Sequence, residues 1–189
     1  VSVPVHRVLL EVSLKVTDNE ARSALEALRV KMGHANRVSG LSRDEVWELE
    51  VEALDADRAR SAISDLVRGS NLFANPNKHR TSLRGADDDR PELAPDEVAI
   101  LVSDRESAEG ASLVAAVRRL GLGELASARR WVRWRVRLSE APSPEEPGVL
   151  DLIRRIGVAT GRGGGLLCNP HCQVARAVLP WGAEKPLAQ

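Results

Sequence analysis

The chain has 189 residues, 43% of them hydrophobic, enough to bury a substantial core and to form one large or two small domains. Lys plus Arg number 27 and Asp plus Glu number 27, so no net field recruits nucleic acid or an anionic membrane. No apolar run approaches the roughly 20 residues that span a bilayer, no basic region with an apolar signal core opens the sequence, and two cysteines make no disulfide scaffold; the expected setting is cytoplasmic.

In chain order, HRVLLEVSLKV from His6 to Val16 is rich in apolar and β-branched residues and predicts a strand. Thr17 with Glu20 forms a capping box for a helix whose apolar face is Ala21, Leu25, Leu28 and Met32, with Gly33 as its stop. A short extended segment leads into the strand WELEV, Trp47 to Val51. Asp55 starts a second helix that turns Ala59, Ile63 and Leu66 inward, and LFANP, Leu72 to Pro76, precedes a last extended segment over 78–83. The charged, proline-bearing stretch RGADDDRPELAP over 84–95 reads as a linker.

The second half repeats this plan. EVAILVS, Glu97 to Ser103, predicts a strand; Ser107 caps a helix with Val114, Val117 and Leu120 in its stripe and Gly121 as its stop. A short extended segment and the strand WRVRL, Trp134 to Leu138, follow; Ser143-Pro144 opens a helix burying Val149, Ile153 and Ile156, and LLCNP, Leu166 to Pro170, leads to a final extended segment over 173–179. Trp47 with Asn75-Pro76 and Trp134 with Asn169-Pro170 are thus the signature of an internal repeat. Each half reads β-α-β-β-α-β, which predicts an α+β chain of two tandem ferredoxin-like units, 1–83 and 96–189, each with an antiparallel sheet and helices on one face.

With the repeat aligned, WELEVEALDADRARSAISDLVRGSNLFANP in the first half, and AEGASLVAAVRRLGLGEL, WRVRL and LLCNP in the second, resemble the PurS family. That family supplies the small subunit of phosphoribosylformylglycinamidine synthase, the glutamine-dependent amidotransferase of purine biosynthesis. The resemblance implies a covalent PurS-like dimer, non-catalytic by itself and without a cofactor, that bridges a synthetase subunit and a glutaminase subunit and is open to self-association. The family's Asp-Pro-Gln-Gly start of the first helix is missing at VTDNEA, which keeps a divergent amidotransferase as an alternative.

The two tryptophan strands differ in charge. Alternation turns Glu48, Glu50 and Glu52 away from Trp47, Leu49 and Val51, and turns Arg133, Arg135 and Arg137 away from Trp134. The expectation is that these glutamates answer these arginines where the halves meet, against the plainer reading of two solvated faces. RRWVRWRVR also admits single-stranded RNA binding, although the chain has no Tyr, one Phe and four Trp with which to stack bases. A small-molecule-binding regulatory module of the ACT kind shares the strand and helix order.

No catalytic set emerges: His6, His34, His79 and His171 are scattered, and GRGGG, Gly161 to Gly165, lacks the Lys-Ser/Thr ending of a phosphate loop. LLCNPHC holds two thiols and a histidine, too few ligands for a closed zinc site. Its counterpart LFANPNK has Ala74 where Cys168 stands, so the recurring element is an Asn-Pro turn, with Cys168 a small buried side chain.

Overall fold

The computed structural model describes residues 3–85, 93–106, 108–144, 148–161, 164–182 and 184–188. Ser107, residues 86–92 of the expected linker, and Arg162 and Gly163 of GRGGG lie outside them.

The protein is α+β. The described strands are β1 (Val5–Leu14), β2 (Val38–Glu52), β3 (His79–Gly85), β4 (Glu97–Asp104), β5 (Leu125–Leu138), β6 (Gln173–Val178) and β7 (Glu184–Ala188). The helices are α1 (Asn19–Glu26), which continues as a π-helical turn over Ala27–Lys31, α2 (Ala56–Gly69), α3 (Ala108–Arg119) and α4 (Val149–Gly157). The expectation of a separate sheet in each half is corrected by the hydrogen bonding: the strands share one order, β3-β1-β2-β5-β4-β6-β7. Arg84 and Gly85, assigned to the linker, pair with Leu9 and Val8 and belong to β3.

A second correction concerns the short extended segment expected before each tryptophan strand. It is not a separate strand: β2 runs unbroken for 15 residues and β5 for 14. A tight two-residue hairpin at either place would need residues that adopt positive φ, and among the described residues only Gly33, Gly121, Gly161 and Gly182 do so, none of them inside β2 or β5.

Two compact units result, and they cut across the sequence halves. One comprises Val1–Val16, Asp44–Asp89 and Ser107–Trp131. Its core joins Val8 and Leu10 of β1, Trp47 and Leu49 of β2, Ile63 of α2, and Leu113, Val114 and Val117 of α3. The Trp47 ring meets Phe73 edge-on, with centroids 5.5 Å apart and planes at 82°. Gly110 lets α3 settle against β5, since a Cβ there would lie 2.0 Å from the Ala128 carbonyl oxygen. Leu120 was expected in the apolar stripe of α3 but is 60% exposed, because the helix ends at Arg119 and Gly121 turns the chain at φ 92°.

The other unit comprises Thr17–Arg43, Arg90–Glu106 and Val132–Gln189. Ala21, Ala24 and Leu28 of α1 pack in a core with Ile100 of β4, Trp134 of β5, and Ile153 and Ile156 of α4. The first helix of each half therefore shares a core with strands of the other half. The α1 cap is Asp18 rather than Thr17: its carboxylate accepts from the backbone N–H groups of Glu20 and Ala21 and also from Arg43 Nε. Helix α4 begins at Val149, later than Ser143-Pro144, which sit in irregular chain.

Candidate functional site

The Asn-Pro turns are built alike, bond for bond. In the first, the Asn75 Oδ1 accepts from Asn77 N at 2.9 Å, and its carbonyl accepts from Lys78 N and His79 N. In the second, the Asn169 Oδ1 accepts from His171 N at 3.1 Å, and its carbonyl accepts from Cys172 N and Gln173 N. The residue four places on closes each turn by accepting from the asparagine N–H, through His79 Nδ1 in one and Gln173 Oε1 in the other. Asn and Pro suit this role because the amide mimics a backbone acceptor and Pro76 and Pro170 fix φ.

A basic residue anchors each turn to the end of a strand. Lys15 Nζ donates to Pro76 O at 2.5 Å while its backbone N–H reaches Lys78 O. Arg105 Nη2 donates to Pro170 O at 2.9 Å while its N–H reaches Cys172 O. Cys168 is 1% exposed, in the place that Ala74 takes in the first turn, and burial pushes its thiol pKa up, with neighbouring Cys172 adding to the rise and Arg105 opposing it. Both thiols are free. Among the described residues no three His, Cys, Asp or Glu side chains gather closely enough to hold a metal ion.

On the two tryptophan strands, Glu48, Glu50 and Arg137 each have a close partner. Glu48 takes Arg7 Nε at 2.7 Å and the Trp131 indole N–H at 3.0 Å; Glu50 accepts from Ser127 Oγ at 2.6 Å. The Glu52 side chain is exposed, and its backbone N–H bonds Glu124 O. Arg137 pairs with Glu97 at 2.8 Å, its direct neighbour on β4, and with Asp96 at 3.6 Å. Arg135 stands opposite Ala99 and is half-buried; Arg133 stands opposite Leu101 and is 3% exposed.

A charge node that sequence reasoning missed ties β2, β5 and α3 together. Arg130 Nη2 donates to Glu45 at 2.6 Å, and Nη1 spans both oxygens of Glu109 at 3.1 and 3.2 Å. Burial opposes the Arg130 charge, but the bonds to Glu45 and Glu109 more than offset it and raise the guanidinium pKa. Strand alternation places Glu45 on the side of Trp47, so a search for charges on the opposite face passes over it.

Of the indoles, Trp47, Trp131 and Trp134 are buried, and Trp181 is half-buried. Arg43 lies over the Trp134 ring at 5.6 Å and Arg129 over the Trp131 ring at 4.4 Å, so these cations already cap the aromatic faces that would stack bases. No described helix is long and apolar enough to cross a membrane. No family model matches the sequence, and no curated protein matches it.

Proposed function

We propose that the chain is a duplicated PurS-like accessory subunit, in which two PurS-like units have become covalent. In this reading it has no activity alone. It bridges the synthetase and glutaminase subunits of a glutamine-dependent phosphoribosylformylglycinamidine synthase in de novo purine biosynthesis, and its setting is the cytoplasm. The observation that carries the duplication is the pair of Asn-Pro turns: the same asparagine accepts the same backbone bonds, and the same carbonyl of the following proline is held by a basic residue just past the end of the first strand of each half. The PurS resemblance of the surrounding motifs supplies the partner class.

The test reconstitutes the synthase from its synthetase and glutaminase subunits, with and without the full chain. A bridging subunit raises amide transfer from glutamine while leaving the reaction with free ammonia unchanged, and it co-elutes with both partners on size exclusion. Equal glutamine-dependent rates with and without the chain, and no co-elution, would overturn the reading.

A further inference from the structure

A cavity of about 360 Å³ opens beside the start of β2, within the unit that holds α1 and α4. The volume lies in the range of small-ligand sites, roughly 300 to 1,000 Å³. Its walls follow from the local chain. Gly33 at φ 76° ends the first helical segment, and Arg37 N and Val38 N both bond to His34 O, a tight turn that presents Arg37. Ser139 N then bonds to Arg37 O, which fixes the end of β5 against that turn and sets Glu140 on the same mouth. Leu138, Val149 and Leu152 supply an apolar floor, the first two of them buried.

The mouth carries one charge of each sign. Arg37 belongs to a positive side: burial, then the charges of Arg155 and Arg37, lower the pKa of His34. Glu140 supplies the negative side. Among the described residues neither the Arg37 nor the Glu140 side chain has a hydrogen bond or ion pair. A simple dianion would meet Glu140 as a like charge, and a polyamine would meet Arg37; a ligand carrying one charge of each sign satisfies both.

We infer that this cavity binds a free amino acid with an apolar side chain, its carboxylate on Arg37, its ammonium on Glu140 and its side chain over Leu138, Val149 and Leu152. The site would give the chain a small-molecule input separate from any bridging role, and it needs no partner subunit to be measured.

Calorimetric titration of the full chain with L-leucine, 4-methylpentanoate and 3-methylbutylamine tests it. The two analogues each keep the branched apolar tail and lose one charge. Saturable leucine binding, weakened about tenfold or more for each analogue and by Arg37→Gln or Glu140→Gln, is expected, since each change removes a charge-assisted contact. Leu152→Trp, which fills the floor and keeps both charges, should abolish binding while the far-ultraviolet circular dichroism stays that of the parent. No saturable heat with leucine, equal binding of the singly charged analogues, or leucine binding that survives all three variants would overturn the inference.

Discussion

Arg130 of β5 donates to Glu45 of β2 at 2.6 Å and holds Glu109 of α3 with its other terminal nitrogen. One guanidinium thus links two strands and a helix drawn from both halves of the sequence. The three side chains are between about a third and a half exposed, so solvent screens each pair. A double-mutant cycle of Arg130→Met and Glu45→Gln, read by urea denaturation, should give a coupling of roughly 0.2 to 1 kcal/mol that shrinks in molar salt. Zero coupling at low salt would remove the node from the account of stability.

Gly110 gives a sharper test of helix seating. Any side chain there must push α3 off the Ala128 carbonyl, and overpacking of this kind costs about 1 to 3 kcal/mol or more. Gly123, where an added Cβ meets nothing within 4 Å, is the control. Thermal unfolding should show Gly110→Ala clearly destabilised and Gly123→Ala within about 0.5 kcal/mol of the parent; equal midpoints for the two would mean α3 does not sit on β5 as described.

His34 sets a pH dependence. Its folded pKa is lowered, by burial first and then by Arg155 and Arg37, so between that value and the unfolded value near 6.5 the unfolded chain binds more protons. The stabilising contribution is complete above the unfolded pKa and is lost as pH falls from there through the folded pKa. Chemical denaturation at steps from about pH 7.5 down to 5 should show stability declining, with a shallower decline in His34→Gln. Identical slopes in the two proteins would assign the pH dependence elsewhere.

The two thiols should separate by reactivity. Cys172 is exposed, whereas Cys168 is buried with its thiol pKa pushed up, so iodoacetamide at neutral pH should modify Cys172 first and reach Cys168 at the rate of local opening. Mass spectrometry of the time course would show this directly, and equal rates would contradict the burial of Cys168.

Much of this was legible in the sequence because it is local. The faces of α2 and α4, the glycine stops at Gly33 and Gly121, and the Asn-Pro turns depend on residues within a few positions of one another, and each sits where periodicity or turn chemistry puts it. What the sequence hid depends on partners distant along the chain. Asp18 outcompetes Thr17 as the cap because its carboxylate also meets Arg43 from the next strand. No local signal directs Ala21 and Leu28 to a core with Ile100 rather than with Leu10, since all are apolar and any of them would accept the contact. Glu45 carries no sequence signal because alternation marks its side of β2 as apolar, and only the helix above it supplies Glu109 and, with β5, the Arg130 node.

The sharing of α1 and α3 between the halves also has a consequence on the ribosome. Once residues up to Gly85 have emerged, β1, β2 and α2 still lack Leu113, Val114 and Val117, and the apolar side of Leu10 and Trp47 is without its lid. Synthesis from Gly85 to Trp131 takes a few seconds at roughly 5 to 20 residues per second, and throughout that interval the nascent chain presents an incomplete core to chaperones or to a neighbouring nascent chain. A translational pause before Trp131 would lengthen this window, while faster elongation through the α3 codons would close it.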